Sequence, residues 1–579
     1  MRSRSFVAIL LFVLALGVAV GRTMPDEGMG TPAAKAEFEK GEAARKTGDF
    51  KIAADHFRKA IEIDPDFVEA HQSYVFLEPM GTVREIMKQW DESHPAQTSA
   101  DGQQAEKTKS ERDTRESEAY TEVRNSLEAQ YQEWSKEHPA KAVYRWVLGT
   151  FNEYKDPHLA EKYYREALKI DPRFARAYNS LSLIDEVRGD LDASREDLRK
   201  AVEANPKDAG YLFYYAQKFR AINSSEYTRL SMQVVEKFPE TERAPQALYW
   251  LAHSTPTTEA KIRYLEMLRQ KFPPEKSGWS SNGMTMLFGI YDKTDPPRAL
   301  ALAREMIKAN PKDRTWPQLA NYAQAMTEAE QLLAQGKSTE AATMLDKASL
   351  PRYMDQRRLE LFKARSVDAT GDTSKAYGNL IKTFASTPTD EVRAALTDYG
   401  KKLGKNSQQI ENAVWAIRNA NARAATPFSL MNYSTRKPMS LADFQGRVFL
   451  LNFWYPQCGP CRGEFPYIQA VLDKYKSQGF EIVAVNVHPP EDDFVLPLLK
   501  GFKLGFIPLK SDDKWAAEAY KVRGEPTNFL IGSDSRIYFG PISPVSSPEA
   551  QRTLELQVEA LLLQAKSMNQ GKPSPVVGR

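Results

Sequence analysis

Six prolines recur at nearly constant spacing through the middle of this 579-residue chain. They are Pro139, Pro172, Pro206, Pro239, Pro273 and Pro311, separated by 33, 34, 33, 34 and 38 residues. A fixed period of roughly 20 to 50 residues is the signature of a repeat architecture, because each unit buries its apolar face only by stacking on its neighbours. Proline readily ends a helix because it has no backbone N–H. The spacing therefore predicts a helical solenoid of about nine or ten units.

The residues between the prolines carry a second regularity. Gly48, Ala53, Phe57, Ala60 and Pro65 follow one another near the N-terminus, and Ala160, Tyr164, Ala167 and Pro172 repeat the spacing. Small residues let two antiparallel helices approach closely, and the aromatic residue fills the gap between them. This order resembles the tetratricopeptide repeat, which implies a peptide or protein ligand on the array. A spacer or an assembly scaffold is the alternative.

Composition subdivides the repeat region. We predict tetratricopeptide-like repeats over residues 34–140 and further, partly degenerate helical repeats over 141–424. Between about 96 and 118 the chain consists mainly of Gln, Lys, Glu, Ser and Asp, with almost no apolar residues. Such a composition cannot bury much apolar surface, so it is typical of a solvated loop or a frayed helix inserted in the array.

The N-terminus has the pattern of an export signal. Arg2 and Arg4 precede an apolar run of about 15 residues over 6–20, and the small residue Gly21 follows. The run is shorter than the roughly 20 residues that cross a bilayer, so we predict a cleaved signal peptide over 1–21. An uncleaved anchor is the alternative. In either case we expect the protein outside the cytoplasm, periplasmic or secreted.

After Pro427 the pattern changes to short apolar strands that alternate with helices. The predicted strands are Val448–Phe453, Ile482–Val487, Asn528–Ile531 and Ile537–Phe539, and the predicted helices are Glu464–Ser477, Asp493–Lys500, Lys514–Tyr520 and Glu549–Gln564. Such alternation is typical of an α/β domain with a partly parallel sheet. We therefore predict an all-α solenoid, an α/β domain over 426–566 and a disordered tail over 567–579.

The chain has two cysteines, Cys458 and Cys461, where a predicted strand meets a predicted helix. A cysteine at a helix N-terminus faces unpaired backbone N–H groups, which stabilise the thiolate. Cys458 is therefore the expected nucleophile, and Cys461, one turn further on, is the expected resolving thiol. A structural disulfide and half of a zinc site are the alternatives, although zinc prefers about four ligands.

Six short motifs lie around this pair in a fixed order. They are Pro427 to Leu430, Ser440-Leu441 with Gly446, Asn452 to Trp454, Cys458 to Cys461, Glu464 to Pro466 and Gly524 to Thr527. As a set they resemble the thioredoxin superfamily, and most closely the TlpA/ResA-like extracytoplasmic thiol:disulfide oxidoreductases. The resemblance implies a thioredoxin-like fold and disulfide exchange without a cofactor.

The resemblance also implies roles for two more residues. Pro526 stands where the family has a cis-proline facing the active-site sulfurs, and Glu464 matches the family's acidic residue near the cysteine pair. A generic loop proline and an exposed helix-surface glutamate are the alternatives. Gln457 departs from the family, which usually has tryptophan before the first cysteine. The predicted catalytic residues are therefore Cys458, Cys461, Glu464 and Pro526.

These observations predict a reductase of protein disulfides, because Gly-Pro between the cysteines is the dipeptide of reducing thioredoxins. The family resemblance implies a membrane thiol carrier as the electron donor. The near balance of 79 basic and 76 acidic residues gives no broad attraction for nucleic acid. Two alternatives stay open: a thiol peroxidase, whose Pro-x-x-x-Thr-x-x-Cys pattern is not matched here, and a repeat adaptor with a vestigial redox site.

Overall fold

The computed structural model describes residues 30–94, 102–351 and 354–570. The predicted signal peptide at 1–21 and the part of the predicted tail beyond residue 570 lie outside these residues. The chain divides into two compact units, Met1–Arg243 with Pro490–Gly501 and Ala244–Pro489 with Phe502–Arg579. None of the described helices combines the length and the apolar character that a membrane span requires.

Helices joined by tight turns make up most of the described part of the first unit. They are α1 (Pro32–Thr47), α2 (Phe50–Ile63), α3 (Val68–Ser93), α4 (Gly102–Glu137), α5 (Ala142–Asn152), α6 (Pro157–Ile170), α7 (Ala175–Val187), α8 (Leu191–Ala204), α9 (Ala209–Gln217) and α10 (Ser224–Lys237). Each helix from α1 to α9 packs against the next helix along the chain. This nearest-neighbour stacking is the arrangement that the repeat period predicts.

The predicted repeat residues form the contact between paired helices. The ring of Phe57 on α2 is fully buried against Gly41 of α1, where an added Cβ would lie 2.6 Å from the ring. Tyr164 on α6 faces Gly149 of α5 in the same way. Because protein interiors are close-packed, the aromatic ring occupies the space that a larger residue would need. The tetratricopeptide-like pattern therefore reflects a real packing requirement.

Helices continue in the second unit and at its boundary. They are α11 (Arg243–Ser254), α12 (Thr258–Lys271), α13 (Gly278–Thr294), α14 (Pro296–Ala309), α15 (Thr315–Ala334), α16 (Ser338–Lys347), α17 (Arg357–Asp368), α18 (Thr373–Ser386), α19 (Asp390–Lys402) and α20 (Ser407–Asn421). From α12 onward consecutive helices again pack on one another. The predicted helical region thus extends to the start of the sheet.

Each proline of the predicted series lies two residues beyond the end of a helix. α6 ends at Ile170 before Pro172, and the same offset follows α4, α8, α10, α12 and α14. The residue before a proline is sterically disfavoured in the α conformation, so a helix stops at this point. The prediction that these prolines close the repeat helices is confirmed.

The polar segment at 96–118 is helical in its described part and is not a loop. α4 begins at Gly102 and continues to Glu137. Its Glu, Lys, Arg and Gln residues are good helix formers. Further along the same helix, Ala119 packs against Val83 and Met87 of α3. A polar composition therefore does not end this helix, because apolar contacts later in α4 hold it against its neighbour.

A mixed sheet follows the helices, as predicted. Its described strands are β1 (Arg423–Ala424), β2 (Ser429–Asn432), β3 (Pro438–Ser440), β4 (Val448–Trp454), β5 (Phe480–Asn486), β6 (Ile507–Lys510), β7 (Thr527–Ile531) and β8 (Arg536–Ile542), in the order β1-β8-β7-β4-β5-β6-β2-β3. β4, β5 and β6 are parallel and the other pairs are antiparallel. The remaining helices are α21 (Gly459–Tyr475), α22 (Asp492–Gly501), α23 (Asp513–Tyr520) and α24 (Pro548–Gln570).

The sequence patterns do not predict four of these strands. β1, β2, β3 and β6 are only two to four residues long and partly exposed, so no apolar run marks them. β1 also begins before the predicted domain start at residue 426. β4, in contrast, is buried at all seven positions. At the other end, α24 continues to Gln570, so residues 567–570 are helix and not tail.

Candidate active site

The two cysteines lie where β4 leads into α21. β4 ends at Trp454, and Cys458 is the N-cap residue of α21, where its sulfur accepts a hydrogen bond of 3.2 Å from the backbone N–H of Cys461. A disulfide joins Cys458 to Cys461, with their Cα atoms 5.3 Å apart. Cys458 is 2% exposed and Cys461 is fully buried. The strand-to-helix placement of the pair is therefore the one that the sequence predicts.

The loop before the cysteines is held by local contacts. The guanidinium group of Arg462 donates a hydrogen bond of 2.7 Å to the carbonyl oxygen of Pro456. Trp454 is fully buried and packs edge-to-face on Phe465, with ring centroids 5.3 Å apart. Gln457, in the position of the family's usual tryptophan, is partly buried beside Cys458. Trp454 thus belongs to the core next to the site.

Glu464 lies one helical turn after Cys461 and is fully buried. Burial raises the pKa of its carboxyl group to about 7, although three hydrogen-bond donors act in the opposite direction. The donors are the backbone N–H of Val545 at 3.1 Å, the Nδ2 of Asn528 at 3.0 Å and the Nδ2 of Asn452 at 2.8 Å. The alternative of an exposed surface glutamate is therefore wrong.

Two asparagines connect this carboxyl group to the sheet. Asn452 on β4 and Asn528 on β7 are direct cross-strand partners, and both are fully buried. The Nδ2 of Asn452 donates to the Oδ1 of Asn528 at 2.8 Å as well as to Glu464. None of the sequence motifs includes Asn528. The sequence shows a polar residue at the start of the apolar run Asn528–Ile531. This pattern does not distinguish a buried hydrogen-bonding residue from an exposed residue at the end of a strand.

Pro526 immediately precedes β7, and the Glu525–Pro526 peptide bond is cis, as the family resemblance implies. The next residue, Thr527, pairs with Phe453 near the end of β4. The register therefore brings the proline to the end of β4 from which the chain continues to Cys458. Pro526 is itself buried. Cys458, Cys461 and Glu464 share one helix, and Pro526 approaches them through the sheet.

Glu525, directly before this proline, is a second carboxyl group in an unusual environment. Burial raises its pKa to about 7, and the negative charge of Asp513 adds to the effect while His488 opposes it. The side chain is partly buried. The residue lies within the Gly524 to Thr527 motif, which by itself assigns it no role. Its position before the predicted cis-proline is the only feature of the sequence that marks it.

Together these groups provide the parts of a thiol exchange site. A thiolate at the first position of a 17-residue helix is stabilised by the backbone N–H groups of the first turn. A carboxyl group with a pKa of about 7 can take up or release a proton near neutral pH. The observed disulfide is the oxidised state of such a site.

Comparison with known families agrees with both parts of the chain. The model of the AhpC/TSA family matches residues 422–539, which contain the cysteine pair. Two tetratricopeptide repeat models match residues 34–67 and 155–217. The matches therefore cover the α/β domain and two stretches of the helical region.

Individual relatives are similar to about a fifth to a quarter of this chain. The thiol-disulfide oxidoreductase ResA of Bacillus subtilis is 34% identical over 129 residues, which span 22% of this chain and 72% of that protein. The ResA of Geobacillus kaustophilus is 34% identical over 115 residues, 20% of this chain and 66% of that protein. A solved thiol:disulfide interchange protein from Chlorobium tepidum is 22% identical over 24% of this chain and 97% of its own, with a TM-score of 0.21.

The identity to the Bacillus subtilis protein extends over most of that relative's length. The AhpC/TSA match contains the cysteine pair at the helix N-terminus, and the tetratricopeptide matches lie outside it. This chain therefore belongs, through its C-terminal domain, to the family of ResA-type thiol-disulfide oxidoreductases and carries tetratricopeptide repeats ahead of that domain.

Proposed function

We propose that this protein reduces disulfides of protein substrates outside the cytoplasm, with Cys458 as the nucleophile and Cys461 as the resolving thiol. The observation that carries the proposal is the Cys458–Cys461 disulfide at the N-terminus of α21, with the buried carboxyl group of Glu464 one turn further on. The helix N-terminus favours a thiolate, and the thiolate is the form that attacks disulfides. Nucleophile and proton acceptor therefore lie on one rigid helix.

In the first step the thiolate of reduced Cys458 attacks one sulfur of a substrate disulfide. A mixed disulfide forms between Cys458 and the substrate, the substrate S–S bond breaks, and the other substrate sulfur leaves as a thiolate that takes a proton from solvent. Pro526, beside the end of β4, lines the groove that accepts the substrate backbone at this stage. The total number of electrons in the protein and the substrate is unchanged in this exchange.

In the second step the thiol of Cys461 transfers its proton to the ionised carboxylate of Glu464. The resulting thiolate attacks the sulfur of Cys458, which re-forms the intramolecular disulfide and releases the second substrate sulfur as a thiolate. That thiolate takes up a proton, and Glu464 returns its own proton to solvent. Because the carboxyl pKa is about 7, Glu464 is close to half ionised at neutral pH and suits this exchange.

Two electrons have passed from the dithiol to the substrate, so a further reductant must reopen the Cys458–Cys461 disulfide. We assign this role to a thiol carrier in the membrane. The Gly459-Pro460 dipeptide supports the reducing direction. It is shared with thioredoxins, whose potential is about −270 mV against about −120 mV for a strongly oxidising relative.

The predicted export signal at 1–21 supports a location outside the cytoplasm. Cysteine usage agrees with this, because a chain with a single redox pair has no spare thiol that could mispair in an oxidising compartment. The tetratricopeptide repeats serve as the docking surface for partner proteins. A docked partner raises the effective concentration of its disulfide at the active site.

Insulin reduction by the full-length protein, with dithiothreitol as electron source, tests the chemistry. We expect Cys458→Ala to reduce turnover to the uncatalysed rate while circular dichroism shows an unchanged fold. Unchanged turnover by Cys458→Ala would remove the basis of the proposal. Rapid turnover of hydrogen peroxide by the wild type, exceeding insulin reduction, would favour the peroxidase alternative.

Trapping in cells tests docking. Cys461→Ser can still attack a substrate but cannot resolve the mixed disulfide, so it should accumulate protein partners that dithiothreitol releases. The double variant Cys458→Ala with Cys461→Ser is the matched control and should accumulate none. Recovery of small thiols alone, without any protein partner, would contradict the docking role of the repeats.

A further inference from the structure

Asn528 occupies a central place in the buried network around Glu464. Its Oδ1 accepts a hydrogen bond of 2.8 Å from the Nδ2 of Asn452, and its Nδ2 donates to Glu464, at 3.0 Å to Oε2 and 3.3 Å to Oε1. The three side chains come from β4, α21 and β7 and are all fully buried. Asn528 therefore joins the sheet to the carboxyl group on the active-site helix.

We propose that Asn528 is a positioning residue, which together with Asn452 holds the carboxyl group of Glu464 in the orientation from which it exchanges protons with the active-site thiols. The proposal rests on the proton-transfer role of Glu464 in the proposed function.

When the carboxyl group of Glu464 is ionised, hydrogen-bond polarity leaves the network one arrangement. Asn452 donates from Nδ2 to both Glu464 and Asn528, which uses both of its amide hydrogens. If the amide of Asn528 flipped, its oxygen would face the carboxylate and its nitrogen would face the Nδ2 of Asn452. Both contacts would then be repulsive. The direction of the Asn528 amide is thus determined, and it presents a donor to Glu464.

The sheet holds the two asparagines, and therefore the carboxyl group of Glu464, rigidly in place. Asn452 and Asn528 lie opposite each other in the ladder between β4 and β7, which pairs five residues of each strand. A third donor, the N–H of Val545, approaches the Oε2 of Glu464 at 3.1 Å from the segment that leads into α24. The carboxyl group is therefore fixed from two strands and one loop, and it has little freedom to turn.

The charged groups on the packed elements are engaged elsewhere. α24 packs on α21, and its acidic residues Glu555 and Glu559 bind Lys474 and Tyr475 at the C-terminal end of that helix. On β5, Glu481 binds Arg447. On α21 itself, Arg462 donates to the carbonyl oxygen of Pro456, and Cys461 and Tyr467 each lie three residues from Glu464. The pKa of Glu464 accordingly reflects burial and the three donors.

The direct test measures the titration of Glu464 in the oxidised full-length protein, in which no thiol titrates. The infrared band of the protonated carboxyl group is identified as the one that Glu464→Gln removes. A donor to a charged group is worth about one to two pKa units, so Asn528→Ala should raise the titration midpoint by that amount. Asn528→Thr, which suits a strand and keeps one donor, should shift it less.

A kinetic readout tests the consequence for proton transfer. At pH 7 the ionised fraction of Glu464 should fall from about one half to between about one tenth and one hundredth in Asn528→Ala. Resolution of a preformed mixed disulfide should therefore slow by about 5- to 50-fold at pH 7, and the difference should disappear as the pH rises above the new midpoint. In a Glu464→Gln background the same substitution should change nothing further.

Asn432 offers a matched control. It is a buried asparagine on β2 of the same sheet, and its Oδ1 accepts hydrogen bonds from the backbone N–H groups of Ser434 and Thr435. Asn432→Ala should lower stability without moving the Glu464 band. If neither Asn528 variant moves that band, the positioning proposal is wrong. If Glu464→Gln leaves the rate and its pH profile unchanged, the proton-transfer role of Glu464 is wrong. The infrared titration then still tests whether Asn528 positions the carboxyl group.

Discussion

The helical repeats and the α/β domain bury their polar groups in different ways. In the repeats, many partners come from the same or the next helix, as with Ser182 and Ser194, 12 residues apart, whose hydroxyl groups lie 2.9 Å from each other, although Arg176 also reaches Glu69, 107 residues earlier. In the α/β domain, Glu464 receives donors from 12, 64 and 81 residues away. Stacked repeats contact mainly the helices next to them in the chain, whereas a mixed sheet pairs segments that lie far apart in the chain. The redox pair lies in the domain that contains the sheet.

Two carboxyl groups with raised pKa values, Glu153 and Glu464, illustrate this difference. Burial raises the pKa of Glu153, in the repeats, to about 6, and this group accepts a hydrogen bond from the hydroxyl of Tyr164. Burial raises the pKa of Glu464 to about 7 despite three donors. Only the second lies beside a redox pair. A perturbed pKa therefore marks a functional site only together with reactive groups next to it.

The largest effect on stability should come from the aromatic residue between paired repeat helices. Phe57→Ala leaves a cavity against Gly41, so we expect a loss of about 3–5 kcal/mol from the free energy of unfolding of that region. Ile52→Ala on the same helix, where the side chain is 55% exposed, should have little effect. Urea unfolding followed by circular dichroism measures both.

Reduction of a small disulfide by the same variant tests whether the redox chemistry depends on the packing of the repeats. Phe57→Ala should reduce oxidised glutathione at the wild-type rate under native conditions, because the reacting groups lie in the α/β domain. A parallel loss of stability and of this rate would break the comparison, since the chemistry would then depend on repeat packing.

The next effect concerns pH. Unfolded Glu464 loses its proton near 4.5, whereas the folded state retains it up to about 7. Stability should therefore fall as the pH rises from about 4.5 to 7, by up to about 3 kcal/mol for this group. Glu464→Gln, which cannot ionise, should remove this part of the slope between pH 5 and pH 8, measured as the change in urea midpoint. Glu481→Gln is the control and should retain this slope. An unchanged slope in Glu464→Gln would contradict the assignment of the raised pKa to Glu464.

A smaller effect tests the close approach of repeat helices. A Cβ on Gly149 would meet the ring of Tyr164, so we expect Gly149→Ala to destabilise the repeats by about 1–3 kcal/mol. Gly289 in α13 has open space at the same position, and Gly289→Ala should stabilise by up to about 1 kcal/mol through helix propensity. Thermal unfolding gives the sign of both changes. The same sign for both variants would show that packing does not select glycine at residue 149.

The smallest effect is local. Asp156 caps α6 by accepting a hydrogen bond of 3.0 Å from the N–H of Leu159, and Asp156→Ala should cost about 1 kcal/mol. Asp49 stands at the same position before α2 but makes no such capping bond. Asp49→Ala should therefore cost less in the same thermal unfolding experiment. Equal losses would indicate that charge near the helix start matters more than the capping bond.

Features that depend on neighbours along the chain can be predicted from the sequence. The proline period, the Phe57 and Tyr164 positions and the end of each repeat helix follow from steric rules that act over a few residues or one repeat. The placement of Cys458 between a strand and a helix is equally local. Glu464 is expected from the family resemblance. Its spacing of three residues from Cys461 places it one turn further along the helix.

The environment of that glutamate depends on the tertiary structure. Its burial depends on β4, β7 and the Val545 segment closing around it, and no sequence pattern distinguishes this from the exposed alternative. Asn528 became a partner of Glu464 because the sheet register places it opposite Asn452, 76 residues earlier. The short edge strands were missed for a related reason: their pairing, and not an apolar run, defines them. Contacts between distant segments form only when the whole domain folds. A short stretch of sequence therefore does not show which distant residues it will contact.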